Sequence, residues 1–251
     1  MSKAEYITIS AHEQGSAPSE VKAVLAVFDF DGTSVECHSP VRLVKYLIKK
    51  GMLKPGIILR IAGWALAYNF HLPQNEAGVR GLVFSAFEGQ PQEQVDRFLR
   101  EFYDEVVEPC FREQMQALID EHKRAGEDVI VVSATFEPIV LRAQELHGYN
   151  HVIAVRMQVD EQGNYTREIL GEPIEGEAKV RAIQAYGDKR YGAGNWKIGF
   201  VYADHYSDIP LMELAQKPYA VCPGPSLKRE AKKRGWEILD WDSKQSSTAV
   251  D

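Results

Sequence analysis

The stretch VLAVFDFDGT, residues 24–33, is an apolar run that ends in two carboxylates two positions apart, Asp29 and Asp31. A short apolar run closed by Asp and Gly is typical of a buried strand that delivers its last residues to an exposed loop. In an open α/β sheet, ligands bind at the carboxyl ends of the strands. Two acids at such a place are costly unless a cation or hydrogen bonds compensate them. The alternative is a strand followed by an ordinary Asp-Gly turn.

Further along the chain, three segments carry polar side chains that follow apolar runs or open a helical pattern. They are DVIVVSAT (128–135) with Ser133, GEAKV (176–180) with Lys179, and IGFVYADHYSDIPLM (198–212) with Asp204 and Asp208. Taken singly, the serine fits a turn or cap, the lysine a solvated helix residue, and the two acids helix caps. The ordered set of acid pair, hydroxyl, lysine and acid pair instead favours one shared site.

This order of motifs resembles the haloacid dehalogenase (HAD) superfamily of phosphatases, over roughly residues 22–242. The segment spacing is similar to the phosphoserine-phosphatase-like subfamily IB. The remaining strands alternate with helical patterns such as LRAQELHG and KVRAIQAYG. The expected fold is therefore α/β, a three-layer α/β/α Rossmann-like core with a mostly parallel sheet and an inserted helical cap.

The resemblance implies a Mg²⁺-dependent phosphatase that hydrolyses a small phosphomonoester through an aspartyl-phosphate. Asp29 would be the nucleophile. Asp31 would be the general acid and base, with a pKa raised by burial and neighbouring carboxylates. Mg²⁺ suits a site made of oxygen ligands. It would take the Asp29 side chain, the Asp31 backbone carbonyl and the Asp204 side chain, with Asp208 as a further ligand or an orienting acid.

The phosphoryl oxygens need their own partners. By resemblance, Ser133 and Lys179 would hold them, and Lys179 would also offset carboxylate charge. Gly32 and Ala134 are assigned to the same phosphate-binding set.

The chain also departs from phosphoserine phosphatases. Those enzymes have a sequence similar to SGG at the second motif and to GDGxND at the last, and an acidic residue seven positions after the second Asp that holds the substrate's amino group. Here the second motif reads Ser133-Ala134-Thr135, and the last motif reads ADHYSD with Ser207 in the Asn position. The position of the acidic residue is taken by His38, and Glu36 lies two residues earlier. Catalysis is expected to survive these changes, but the case for serine specificity is weakened.

Three functions therefore remain open. The first is hydrolysis of a small phosphorylated metabolite, and the second is phosphoserine hydrolysis proper or phosphoryl transfer on the same scaffold. The third is a non-catalytic binding protein, which nothing in the motifs favours. Asp31 argues against dehalogenases and transport ATPases, which lack an acid two residues after the nucleophile.

Composition fits a compact cytoplasmic enzyme. With 251 residues, 45% of them hydrophobic, the chain can bury one substantial core and a small insert. A net charge of −7 argues against nucleic acid as a main partner. Its three cysteines share no metal-ligand spacing and fit reduced thiols. The basic run LKREAKKRG (227–235) is expected on the solvated face of a late helix. The oligomeric state stays open.

The domain organisation is predicted from changes in composition and apolar patterning along the chain. Residues 1–20 are expected to be a flexible leader without a targeting signal, 21–37 and 108–242 the catalytic core, 38–107 the helical cap, and 243–251 a flexible tail. Within 148–174, two β-like runs around DEQGN predict a hairpin at the edge of the sheet.

The cap contains three apolar or amphipathic stretches. They are PVRLVKYLIKKGML (40–53), which stops at Gly51, GIILRIAGWALAYNFHL (56–72), and PQEQVDRFLREFYDEVVEPC (91–110). The second is shorter than a bilayer span usually needs, so a cap helix is expected and contact with a membrane surface or lipid substrate is the alternative. Candidate substrate contacts in this region are His38, Trp64, Tyr68, Phe70, His71 and Arg80. For the three aromatic residues the alternative is a place in the apolar core, where most aromatics at this spacing lie.

Overall fold

The computed structural model describes residues 23–53, 55–60, 63 and 83–241. The predicted leader and tail lie outside these residues. So do most of the second cap stretch, of which 56–60 and 63 are described and helical, and the candidate side chains Trp64, Tyr68, Phe70, His71 and Arg80.

The described strands form one six-stranded parallel sheet and a separate two-stranded hairpin. The strands are β1 Ala23–Phe28, β2 Asp128–Phe136, β3 His151–Val155, β4 Met157–Val159, β5 Tyr165–Ile169, β6 Trp196–Ala203, β7 Lys217–Val221 and β8 Glu237–Leu239. The large sheet has the order β3-β2-β1-β6-β7-β8, and every neighbouring pair is parallel. The predicted parallel sheet is confirmed.

Helices cover both faces of this sheet. The labelled helices are α1 Ser39–Lys49, α2 Gln92–Phe102, α3 Glu113–Arg124, α4 Glu137–His147, α5 Glu177–Tyr191, α6 Ile209–Met212 and α7 Pro225–Arg234. Because alternate residues of a strand point to opposite faces, β1 contributes to two separate apolar layers. Phe28 packs in the layer that contains Ile119 of α3 and Val140 of α4, and Val27 in the layer that contains Ile183 of α5 and Leu227 of α7. The three-layer α/β/α architecture is confirmed.

The strand order positions the site. The last residue of β1, Phe28, pairs with Val131 of β2 on one side and with Tyr202 of β6 on the other. From β1 the chain first builds the sheet toward β3 and later returns to add β6 to β8, so the order reverses between β1 and β6. Such a switch point leaves a crevice at the carboxyl ends of the strands, where ligands bind.

The insert leaves and rejoins the core at one place. Glu36 donates its backbone N–H to the carbonyl of Cys110 over 2.9 Å, and Val35 pairs with Phe111 in an antiparallel bridge. Helix α1 ends just before Gly51, as predicted. The third predicted helix is found as α2, which continues through a π-helical turn over Tyr103–Val107 before a short 3₁₀ turn. No helix within the described residues is long and apolar enough to cross a bilayer.

The predicted hairpin exists, but its predicted place was wrong. β4 and β5 pair with each other and not with the edge strand β3. The chain leaves the large sheet after Val155, and the hairpin instead bonds to the segment before α2: the N–H of Gly89 donates to the carbonyl of Tyr165 over 2.9 Å. The hairpin therefore contacts the end of the insert.

The basic run 227–235 falls on α7 and Gly235, with Leu227 and Ala231 buried and the charged residues on the outer side. This matches the predicted solvated helix face.

Candidate active site

Asp29 lies directly after β1, where the sheet order reverses. Its N–H donates to the carbonyl of Tyr202 over 2.9 Å, which continues the β1–β6 pairing by one residue. Its Oδ1 accepts a hydrogen bond from Nζ of Lys179 over 2.7 Å. The hydroxyl of Thr33 lies 3.5 Å from its Oδ2. The carboxylate is thus held from two sides at the carboxyl end of the sheet.

Lys179 joins two acids that are distant in sequence. It is the third residue of α5, and its Nζ also lies 2.8 Å from Oδ1 of Asp208. This second contact is a buried ion pair. Burial acts to lower the pKa of Lys179, but the charges of Asp29 and Asp208 outweigh it and raise the pKa. The lysine therefore stays charged.

Asp204 follows β6 and faces Asp29 across the crevice. Its Oδ1 lies 3.3 Å from the hydroxyl of Thr33, which also contacts Asp29. Burial, and then the charges of Asp29 and Asp208, raise the pKa of Asp204 to about 8. Gly32 has a φ of +78°, and a β-carbon there would lie 2.2 Å from Oδ2 of Asp204. The loop therefore needs glycine at this position both for its conformation and for space.

Asp31 has a different set of hydrogen-bond partners from Asp29. Its Oδ1 accepts the N–H of Ser39, and its Oδ2 accepts hydrogen bonds from the hydroxyls of Ser39 and Thr135. Burial raises the pKa of Asp31, and the hydrogen bonds from Thr135 and Ser39 offset part of that rise. A raised pKa is what a carboxyl needs to carry a proton near neutral pH.

The second motif lies in an irregular part of β2. Pairing with β3 runs through Val132, and its register then shifts before Phe136. Residues 133–135 fall in this irregularity, which re-aims side chains at the strand end. Ser133 is buried and its hydroxyl accepts the N–H of Thr135 over 3.0 Å, while Ala134 is exposed.

The structure thus brings together Asp29, Asp204, Asp208 and Lys179 by direct or bridged contacts. Asp31 lies beside them with its own partners. Three site residues were missed from the sequence, namely Thr33, Thr135 and Ser39. Thr33 is part of the DGT string and Thr135 of the VSAT string, so their place in these motifs could have indicated that they belong to the site. Ser39 lies at the start of the insert, outside these motifs. Nothing in the sequence indicated its role, because only folding brings it to Asp31.

The residues considered for binding an amino group lie at the start of the insert. His38 is exposed and directly precedes α1. Glu36 lies 3.5 Å from Nη1 of Arg112, a buried guanidinium that also reaches the carbonyl of Gly32. Arg112 therefore offsets part of the charge of Glu36.

The donor set fits a hard divalent cation. Within the described residues, no three His, Cys, Asp or Glu side chains are arranged to hold a metal by themselves. The expected set uses the carboxylates of Asp29 and Asp204 and the carbonyl of Asp31, with Asp208 as a further ligand or an orienting acid. All are oxygens, which suits Mg²⁺ completed by phosphate and water oxygens. The raised pKa of Asp204 also reflects crowded negative charge that a cation would relieve.

The chain is similar to known proteins in both sequence and fold. The family model of haloacid dehalogenase-like hydrolases matches residues 26–213. A histidinol-phosphatase of Neisseria meningitidis serogroup C (strain 8013) is 29% identical over 225 residues, which cover 86% of this chain and 98% of that protein.

Two solved structures share the fold at lower sequence identity. A protein of unknown function from Bordetella pertussis Tohama I has a TM-score of 0.78 and 24% identity, covering 87% of this chain and 99% of its own. A phospho-aspartyl intermediate analogue of phosphoserine phosphatase has a TM-score of 0.58 and 23% identity, and the match covers 87% of this chain and 94% of that chain. The family match spans most of the chain and contains every motif residue described above. The chain therefore belongs to the haloacid dehalogenase-like hydrolase family and is a phosphoric monoester hydrolase.

Proposed function

We propose that the protein hydrolyses the phosphomonoester of a small alcohol in two steps, with Asp29 as the nucleophile. In the first step, Oδ of Asp29 bonds to phosphorus and the bond from phosphorus to the alcohol oxygen breaks. In the second, water attacks the aspartyl-phosphate, releasing inorganic phosphate and restoring the carboxylate. The observation that carries this proposal is the 2.7 Å hydrogen bond from Lys179 to Asp29 at the carboxyl end of the sheet.

Asp31 would serve both steps. It gives its proton to the departing alcohol oxygen and later takes a proton from the attacking water. Its contacts with Ser39 and Thr135, rather than with Lys179, support a role separate from that of Asp29.

The phosphoryl group would be held by groups that carry positive charge or donate hydrogen bonds. Lys179 and the hydroxyl of Ser133 would contact its oxygens, together with the backbone amides of Gly32 and Ala134. Such donors act strongly in a site closed to water, because they need no reorganisation during the reaction.

Mg²⁺ would be held by the side chains of Asp29 and Asp204 and the carbonyl of Asp31. When bound, it supplies positive charge that offsets the carboxylates beside a phosphate dianion. The ion pair of Asp208 with Lys179 favours an orienting role for Asp208 over direct ligation.

The substrate class is a separate part of the proposal. The relative named histidinol-phosphatase matches this chain over nearly its whole length, so histidinol phosphate is the first substrate to test. Phosphoserine is the weaker candidate, because His38 stands where phosphoserine phosphatases carry an acidic residue for the substrate's amino group. We also propose that residues 38–107 act as the cap, since Ser39, at their start, contacts Asp31.

The test is phosphate release with Mg²⁺ from histidinol phosphate, phosphoserine and p-nitrophenyl phosphate. Asp29→Asn should lower kcat by roughly a thousand-fold or more while the protein stays folded. Asp120→Asn, an exposed change on α3, is the matched control and should retain the wild-type rate. A folded Asp29→Asn protein with more than a few per cent of wild-type activity would remove Asp29 as nucleophile. Transfer of phosphate to added glycerol instead of water would favour a phosphotransferase.

A further inference from the structure

The carboxyl of Asp31 is held by two side-chain hydroxyls that come from different parts of the fold. Its Oδ2 lies 3.0 Å from the hydroxyl of Ser39 and accepts a hydrogen bond from the hydroxyl of Thr135. The two hydroxyl oxygens are 3.0 Å apart, so each is also within hydrogen-bond reach of the other. The N–H of Ser39 donates to the other carboxyl oxygen, Oδ1.

These contacts are sheltered from water. Ser39 is 0% exposed and Thr135 is 3% exposed, so water cannot readily replace either hydroxyl. Ser39 is the first residue of α1, at the start of the insert, whereas Thr135 belongs to the irregular end of β2. Asp31 therefore bridges the insert and the sheet.

The arrangement fixes the orientation of the carboxyl group. The terminal torsion of an aspartate side chain is broad, so an unrestrained carboxyl samples many orientations. Contacts on both oxygens restrict that rotation. Each carboxylate oxygen has two lone pairs, so Oδ1, with the N–H of Ser39 as its partner among the described residues, retains one that can carry the proton passed to a substrate oxygen.

We propose that Thr135 and Ser39 are positioning residues that hold Asp31 in the orientation needed for proton transfer to the leaving alcohol. This inference rests on the proposed role of Asp31 as general acid and base. Proton transfer needs the donor within hydrogen-bond reach of the leaving oxygen. A misplacement of about 1 Å costs on the order of 100-fold in rate.

A purely structural role makes a different prediction. If the hydroxyls only satisfy a buried acid, their removal lowers stability and affects all substrates alike. If they orient the acid, the loss depends on the leaving group, because a good leaving group needs little protonation. The leaving-group dependence of the rate therefore separates the two roles.

The experiment compares an alkyl phosphate with p-nitrophenyl phosphate in Thr135→Val, Thr135→Ser, Ser39→Ala and Asp31→Asn. Thr166→Val, which removes a hydroxyl from β5 of the hairpin, is the matched control. Each variant is measured for kcat and KM on the alkyl ester, for the rate of the p-nitrophenol burst, and for thermal unfolding.

We expect Thr135→Val to lower kcat on the alkyl phosphate by about 10–100-fold, with KM changed less than about two-fold. The burst from p-nitrophenyl phosphate should change less than about three-fold, because p-nitrophenolate leaves without a proton. Ser39→Ala should show the same pattern. Thr135→Ser should restore the alkyl rate to within about three-fold, because it keeps the hydroxyl. Thr166→Val should behave as wild type on both substrates.

The double variant Asp31→Asn/Thr135→Val gives the most direct test. If Thr135 acts only through Asp31, it should be no slower on the alkyl phosphate than Asp31→Asn alone. A slower double variant, or equal losses on both substrates in Thr135→Val, would overturn the positioning role. If Asp31→Asn itself shows no leaving-group dependence, the general acid assignment fails instead, so the two failures are distinguishable.

Discussion

The Nζ atom of Lys179 donates a hydrogen bond to Oδ1 of Asp29 over 2.7 Å, and both residues are buried. A buried lysine is normally expensive, because leaving water disfavours its charge. Here the charges of Asp29 and Asp208 reverse that effect. The lysine thus stabilises a cluster of acids, and in the proposed mechanism it also neutralises a phosphoryl oxygen.

Replacement of this lysine should therefore affect both activity and stability. Lys179→Met should lower kcat/KM by about 100–1,000-fold, as loss of a donor to a developing charge does in other sites. It should also lower the free energy of unfolding by about 3–5 kcal/mol, because two buried carboxylates lose their cation. Steady-state kinetics and urea denaturation measure the two effects. Lys189→Met, at an exposed position of the same helix, is the control and should change neither. Wild-type kcat/KM in Lys179→Met would exclude Lys179 from the phosphate site.

A second prediction concerns the approach of Gly32 to Asp204. Gly32→Ala places a β-carbon 2.2 Å from Oδ2 of Asp204, so this carboxylate must move. We expect kcat to fall and the Mg²⁺ concentration for half-maximal activity to rise by about ten-fold or more, since Asp204 is a proposed ligand.

The control isolates the backbone effect from the clash. Gly163 has a φ of +82° and open space around its β-carbon position. Gly163→Ala should therefore cost about 1–2 kcal/mol of stability, as a left-handed alanine does, with kinetics unchanged. Equal kinetic effects in both variants would show that strain alone, and not displacement of Asp204, explains the loss.

The sequence predicted the parts of the site that are written in short motifs. Asp29 and Asp204 directly follow strands that the apolar pattern predicts, and Lys179 lies in the first turn of a helix that the sequence pattern predicts. Because the fold brings these element ends to one edge of the sheet, their proximity could be predicted. The partners of Asp31 could not be foreseen in the same way. Ser39 lies beside Thr135 only because the insert starts against β2. The position of the hairpin was predicted wrongly, because an alternating β pattern does not reveal what the hairpin as a whole contacts. In the structure it hydrogen-bonds to the segment before α2.

A third prediction tests the metal. EDTA should abolish activity and Mg²⁺ should restore it, because several carboxylates would otherwise repel a phosphate dianion. Ca²⁺ should support little turnover, since its larger and looser coordination shell suits in-line attack poorly. Asp204→Ala should raise the Mg²⁺ requirement about 10–100-fold, which a Mg²⁺ titration of activity measures. Asp120→Ala should leave it unchanged. Full activity of metal-free enzyme would contradict this account.

A fourth prediction concerns thiol reactivity near the first motif. Burial, and then contact with Cys110, raise the pKa of the Cys37 thiol to about 12. The thiolate is the reactive form, so Cys37 should be alkylated by iodoacetamide at pH 8 on the order of 1,000-fold more slowly than a free cysteine. Mass spectrometry of the peptide containing Cys37 follows the reaction. Unfolding in urea should bring its rate to that of an ordinary thiol. Fast labelling of Cys37 in the native protein would mean that the start of the insert opens readily.

The last prediction uses Asp96 of α2, whose Oδ1 accepts the hydroxyl of Tyr165 in the hairpin over 2.5 Å. Burial raises the pKa of Asp96, and the hydrogen bond from Tyr165 offsets part of the rise. The folded state therefore holds this proton more tightly than the unfolded state does. It follows that the contribution of Asp96 to stability is fully present below its ordinary pKa of 3.8 and is lost as the pH rises through its raised value.

Asp96→Asn keeps an acceptor for Tyr165 but carries no charge. Relative to wild type, its free energy of unfolding should therefore increase from pH 4 upward and level off once Asp96 is ionised in the folded wild type. Tyr165→Phe, which removes the donor, should strengthen the pH dependence of the remaining acid. Urea denaturation of all three proteins across this range measures the differences, in which the other titrating groups largely cancel. A stability gain of the Asn variant that instead grows as the pH falls would have the wrong sign, and would show that Asp96 is stabilised in its charged form where the hairpin meets α2.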